Sequence, residues 1–155
     1  METAEIIVAT VPFENSYDTI TQLAAKFKGG QILISAAATV TKQGNEFRPS
    51  SDESSLSQRL RNVLPSTVEV ATAFQTVPAN ILFKERSIRS DVLVSCDSQA
   101  TYEKVAQVVS SVEGLRPLYI GSLALSGEVE RLTALLLNVA IKNRLKSPTF
   151  QVNSF

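Results

Sequence analysis

Glu5-Ile-Ile-Val-Ala-Thr10, followed by Val11-Pro12-Phe13-Glu14-Asn15, is the stretch that decides the fold. Ile6, Ile7 and Val8 are consecutive β-branched residues, so the first six positions read as a buried strand. Asn15 or Ser16 caps a helix running to about Phe27, with Tyr17, Ile20, Leu23, Ala24 and Phe27 at helical spacing. Lys26, Lys28, Gly29 and Gly30 supply the cations and then the glycines that end a helix. Gln31-Ile-Leu-Ile-Ser35 is a second short buried strand. A strand, a helix and a strand in that order need the right-handed crossover of a parallel pair.

Working outward, the alternation continues. Residues 36–52 read as a long connection containing Gly44 and Pro49, of the length that is usually functional or mobile. Ser50-Ser-Asp-Glu-Ser-Ser55 offers N-caps for a helix from about Ser54 to Leu64, striped by Leu56, Leu60, Val63 and Leu64 and stopped by Pro65. Its simplest role is a capped, solvated loop, with a phosphate on its N–H groups as the lesser alternative. Glu69 to Phe74 is a third strand, then Gln75-Thr-Val-Pro78 and a short helical turn from Ala79 to Phe83. Asp91 to Ser95 is a fourth strand, and Asp97 or Ser98 caps a helix from about Ala100 to Val112. Leu115 to Gly121 is a fifth strand, where Pro117 marks an edge or a strand start because it cannot donate to a ladder. Leu125 to about Leu145 is a long helix whose middle is apolar nearly all round, so it packs inside the protein or against another subunit. Thr149 to Val152 is a candidate final strand.

Composition narrows the function. The 155 residues suffice for a single domain with a proper core. Fifteen basic and fifteen acidic residues cancel, leaving no basic field for nucleic acid or an anionic membrane, and little charge to resist self-association. No apolar run reaches the ~20 residues of a spanning helix, and the acidic N-terminus lacks a signal-peptide layout. Cys96 stands alone, so no internal disulfide forms, and its apolar setting predicts an inert thiol. A cytoplasmic protein without a membrane segment is expected. Histidine is absent, which removes Ser-His-Asp and Cys-His chemistry and most zinc sites. Arg116 and Glu130 read as structural charges, with a salt bridge, a dimer contact or an anion site as the alternatives.

The expected fold class is α/β: a three-layer sandwich around a mixed, mostly parallel sheet, in effect a truncated Rossmann-like fold. The opening strand ends as a middle strand of a nucleotide-binding α/β fold ends. No strand–GxGxxG–helix unit accompanies it, and that turn is the usual grip on a dinucleotide pyrophosphate.

Five segments together carry a resemblance. They are Ile7-Val-Ala-Thr-Val-Pro-Phe-Glu14, Phe74-Gln-Thr-Val-Pro-Ala79, Asp91-Val-Leu-Val94, Gly114-Leu-Arg-Pro117 and Glu130-Arg-Leu-Thr-Ala-Leu-Leu-Leu-Asn138. In order and spacing the chain resembles the NADPH-dependent reductase family of the deazaflavin coenzyme F-420, over its C-terminal two-thirds. The resemblance implies that residues 1–83 form the second half of a Rossmann-like fold and residues 84–155 the family's C-terminal part. It implies hydride transfer between NADP and the deazaflavin, with the cofactors supplying the chemistry and the protein orientation and exclusion of water.

By position, the resemblance sets Val11 and Pro12 beside the nicotinamide. Gln75 and Val77 fall at the contact between the two rings, with Pro78 just beyond. Ala36, in the Ala36–Thr39 loop, and the tail at Pro148 and Thr149 would border the deazaflavin. Departures from the family pattern accompany these matches. Family members often carry prolines where this chain has Ala36-Ala-Ala-Thr39, and His or Asn where it has Gln75. The expectation is therefore binding on the deazaflavin side, with NADP held weakly or only with a partner. The alternative is a non-catalytic binding or assembly module of the same descent. A third reading is an unrelated scaffolding dimer built on the apolar helix. A parallel sheet cut after its third strand exposes an edge and bare helix-packing faces, which predicts a homo-oligomer or a second chain covering the first strand.

Overall fold

The computed structural model describes residues 3–50, 54–82 and 88–154. The opening segment forms strand β1 (Ile6–Ala9), helix α1 (Phe13–Leu23) and strand β2 (Ile32–Ser35), with a 3-10 turn at Ala24–Lys26 closing the helix. β1 and β2 pair in parallel, Ile6 opposite Ile32 and Ala9 opposite Ser35. The helix starts earlier than its Asn15 or Ser16 cap would place it. Pro12 occupies the N-cap, with extended ψ and without a side-chain cap bond.

Residues 36–52 hold more structure than a long connection. Strands β3 (Val40–Gln43) and β4 (Glu46–Pro49) form an antiparallel hairpin. The signal is the two-residue Gly44-Asn45 turn, with Gly44 at φ +60°, which glycine adopts without steric cost. Helix α2 (Leu56–Val63) follows. Ser55 accepts from the Gln58 N–H, and the Gln58 side chain accepts from the Ser55 N–H, a reciprocal capping box. Ser51 to Glu53, part of the expected cap supply, lie outside the described residues, as does Phe83.

Strand β5 (Glu69–Thr72) is followed by the short helix α3 (Ala79–Leu82), strand β6 (Ser90–Cys96), helix α4 (Gln99–Ser110), strand β7 (Leu115–Gly121), a 3-10 turn at Leu123–Leu125 and helix α5 (Ser126–Asn143). Of the two candidate caps for α4, Ser98 is the one used, accepting from the Thr101 N–H. The main sheet has the order β1-β2-β5-β6-β7. β1, β2 and β5 run parallel, β6 runs antiparallel to β5, and β7 runs parallel to β6. The fold is α/β with a mixed, mostly parallel sheet. Pro117 sits inside β7, which is an edge strand, where a residue without an N–H is tolerated.

The sheet's alternation builds two cores. Ile32, Ile34, Ala71, Val92 and Val94 face Val105 and Val109 of α4. Ala9, Leu33 and Val70 face Ile20 of α1 and Leu56 and Leu60 of α2. One glycine is obligatory. Gly114 has φ +82°, and a Cβ there would lie 1.6 Å from the Ile88 carbonyl oxygen.

The C-terminal tail does not join a ladder, yet it is held. The Asp91 N–H donates to the Phe150 carbonyl at 2.7 Å, and the Val152 N–H donates to Asp91 Oδ2 at 2.6 Å. Arg116 forms a bidentate pair with Asp91, both contacts at 2.7 Å, rather than pairing with Glu130. That fork holds the Asp91 carboxyl below the usual carboxylate range, aided by the Val152 N–H and opposed by burial.

Candidate functional site

In open α/β sheets ligands bind beyond the carboxyl ends of the strands. Here β1, β2 and β5 end together beside an apolar cleft with a cavity volume of about 560 Å³. That lies within the range of pockets that hold drug-sized ligands. The stretch after β1 forms one wall with Val11, Pro12 and Phe13; Ala36, Ala37 and Ala38 after β2 form the second. Phe74 and Val77 after β5 form the floor, with Ala79 and Leu82 of α3 beside them. Val108, Ser111 and Val112, in and just after α4, close the far side.

Local structure explains these positions. The Ala36 N–H donates to the Ala9 carbonyl, which carries the strand pairing up to the start of the alanine wall. The Val77 N–H donates to the Phe74 carbonyl at 3.0 Å, closing a tight turn. Phe74 has φ +73°, a conformation that is an outlier for a bulky residue and costs on the order of 1–3 kcal/mol. The turn is held in place by Gln75, whose Nε2 donates to the Ser35 carbonyl at 2.8 Å.

Of the eight expected site residues, Val11, Pro12, Ala36 and Val77 converge on this cleft. Gln75 is not in its lining. It is buried, its amide is turned toward Ser35, and its Oε1 has no hydrogen-bond partner among the described residues. Pro78 lies directly before α3, half-buried and outside the cleft's lining. Pro148 and Thr149 also lie outside the lining. Thr149 Oγ1 donates to the Arg89 carbonyl, and the neighbouring Ser147 bonds to Asn80 of α3, so the tail backs the cleft's α3 wall. Phe74, Leu82 and the α4 residues are wall positions that sequence reading does not find. Phe74 opens the Phe74–Ala79 segment and Leu82 follows it, whereas Val108, Ser111 and Val112 reach the cleft from another element, where no local pattern marks them.

The cleft suits a flat apolar ring. Glu14 is the only charged side chain in its described lining. No Lys or Arg among the described residues lines it to meet a phosphate. The first turn of α1 opens at its rim with uncapped N–H groups, but Glu14 sits in that same turn.

A second, polar cavity of about 180 Å³ lies beyond Thr39, between the N-termini of α2 and α5. Glu130 is buried at its base. The Leu56 N–H donates to Glu130 Oε1 at 2.9 Å, and the Thr39 hydroxyl donates to Oε2. Burial pushes the Glu130 carboxyl above its ordinary value, with those two hydrogen bonds pulling the other way. Because the Leu56 amide is already engaged, the alternative of a phosphate at this helix start loses a main donor. Cys96 is fully buried and its thiol is raised by desolvation, in keeping with an inert role. No helix among the described residues is long and apolar enough to cross a membrane, and no group of three or more potential metal ligands occurs among them.

The sheet order and the cleft at its carboxyl ends define a protein of Rossmann-like α/β architecture. Comparison with known proteins narrows this. The F-420-dependent NADP reductase of Methanothermobacter marburgensis is 25% identical over 158 residues, covering 99% of this chain and 70% of the relative. That of Methanocaldococcus jannaschii is 24% identical over 156 residues, covering 97% of this chain and 68% of the relative. The resemblance carried by the five segments thus extends along nearly the whole chain: it is similar to the F-420-dependent NADP reductases. No family model matches it. A solved structure from an Arthrobacter species, named as a candidate enzyme of the same kind, superposes with a TM-score of 0.85 at 17% identity. It covers 99% of this chain and 71% of its own, and it attests the fold alone.

Proposed function

We propose that this chain holds the ring end of a two-cofactor hydride-transfer site, with coenzyme F-420 in the apolar cleft and NADP(H) engaged weakly or with help from a partner. The observation that carries this reading is the convergence of Val11, Pro12, Ala36 and Val77 on one cleft at the carboxyl ends of three parallel strands. Coenzyme F-420, when bound, supplies the carbon that gains or loses a hydride. The chain's own residues bind and orient. The alanine wall and Val77 offer flat apolar surface for a ring, and Phe13, Phe74 and Leu82 keep water from its faces. No acid or base is required of the protein, which suits a site lined almost wholly by carbon.

A parallel reading, that of a non-catalytic binding or assembly module, is favoured by the missing phosphate cations in the described lining. Two surfaces support the idea of a partner in either case. β1 is an edge strand of the main sheet. α5 turns Leu135, Val139 and Ile141 outward, which suits a second copy of the chain.

Fluorescence titration of the purified chain with coenzyme F-420 tests the main reading. Saturable binding is expected, and no change at millimolar ligand overturns it. Reduction of the deazaflavin by NADPH in the same sample would eliminate the non-catalytic alternative.

A further inference from the structure

Helix α5 buries Val129 and Ala134, yet it also sends three polar side chains inward and leaves several apolar ones exposed. Leu135, Val139 and Ile141 are exposed, with Leu135 at 58%. Glu130, Thr133 and Asn138 instead turn inward, and each ends on a different segment. Glu130 takes the Thr39 hydroxyl and the Leu56 N–H. The Thr133 hydroxyl, which also bonds to the Val129 carbonyl, reaches the Gln75 carbonyl at 3.3 Å. Asn138 bonds to the backbone of Phe47.

Two of these segments adjoin the cleft. Thr39 follows the Ala36–Ala38 wall directly, and Gln75 lies inside the Phe74–Val77 turn. Gln75 in turn grips Ser35, the residue before that wall. The alanine wall is therefore pinned before its first residue by Gln75 and after its last by Glu130. Both pins lead to the same helix, within one turn of it. Neither Glu130 nor Thr133 lines the cleft.

We propose that Glu130 and Thr133 are positioning residues for the cleft, with α5 a strut that fixes the alanine wall and the Phe74–Val77 turn relative to each other. This rests on the reading of the cleft as a ring site, and goes beyond it by assigning a role to residues that would never touch the ring. The wall has no prolines of its own, so its shape must be imposed from outside.

The test uses the full chain with Glu130→Ala, Glu130→Gln and Thr133→Val. Amide hydrogen exchange is read without ligand at Ala36, Val40 and Ser50 around the first wall and at Val77 in the turn, with Val92 and Val94 of β6 as global controls. Coenzyme F-420 affinity is read in parallel. Glu130→Ala is expected to speed exchange at Ala36, Val40 and Ser50 beyond the controls and to weaken F-420 about tenfold, and Glu130→Gln to restore both, since its amide oxygen still accepts from Leu56 or Thr39. Thr133→Val is expected to speed exchange at Val77. Exchange that rises equally at the walls and in β6, or not at all, overturns the strut. If the unaltered chain binds no F-420, the ring-site reading fails, while the exchange pattern still decides whether α5 sets the walls.

Discussion

Asn138 pairs with both backbone polar groups of Phe47: its Oδ1 accepts from the Phe47 N–H at 2.8 Å and its Nδ2 donates to the Phe47 carbonyl at 2.6 Å. A side-chain amide here completes the strand β4 as a neighbouring strand would. This explains a polar residue in the middle of Leu-Leu-Leu-Asn-Val-Ala-Ile, where periodicity alone reads only an interruption. Asn138→Ala leaves two backbone groups without a partner and should cost about 2 kcal/mol. A fall in the urea midpoint, with protease sensitivity appearing first in residues 40–49, checks it.

Glu130 gives a pH dependence of definite sign. Its folded-state carboxyl is raised by burial above its unfolded value. Its contribution to stability is therefore fully present below the unfolded value and is lost as pH rises through the folded one. Glu130→Gln keeps an acceptor and a similar shape without that loss. Unfolding free energies should show the variant gaining on the unaltered chain between mildly acidic and neutral pH; a constant difference across that range would contradict the assignment.

Asp91 acts with the opposite sign. The Arg116 guanidinium lowers its folded-state value, so its contribution is present above the unfolded value and lost as pH falls through the folded one. Asp91→Asn should flatten the acid limb of the stability curve below about pH 4. It should also speed amide exchange at Val152, whose N–H is held by Asp91 Oδ2.

Gly114 tolerates no side chain. Its positive φ and the 1.6 Å separation between an added Cβ and the Ile88 oxygen combine strain with a clash against backbone. Gly114→Ala should destabilise by about 3 kcal/mol or more, beyond the usual glycine-to-alanine range. Thermal unfolding reads this directly, and the same exchange at Gly44, where the Cβ position is open, should cost less.

Filling the cleft separates binding from folding. Ala36 is half-buried at the wall, and Ala36→Phe projects a ring into the space proposed for the deazaflavin. Coenzyme F-420 affinity should drop at least about tenfold, roughly 1.4 kcal/mol, with the unfolding midpoint little changed. Equal affinity would place the ring elsewhere.

Local sequence determined a great deal of this protein. The β-branched run at Ile6–Val8 and the apolar run at Ile32–Ile34, the caps at Ser55 and Ser98, and the stop at Pro65 fixed where strands and helices begin and end, because each depends on bonds within a few residues. The strand–helix–strand order then dictated a parallel pair, while the resemblance carried by the five segments marked Val11, Pro12, Ala36 and Val77. The hairpin at 40–49 was also legible, in Gly44-Asn45, but only to a reader weighing turn chemistry above loop length.

Tertiary structure alone decided the rest. Whether Gln75 faces the cleft or Ser35 is a choice between rotamers, settled by a carbonyl forty residues away. That Arg116 joins Asp91 rather than Glu130, and that Glu130, Thr133 and Asn138 of α5 bond inward, follow from which segments the sheet order brings together. Chain neighbours set the period of a pattern, but the partner of a buried polar group is set by long-range packing, which no local spacing encodes.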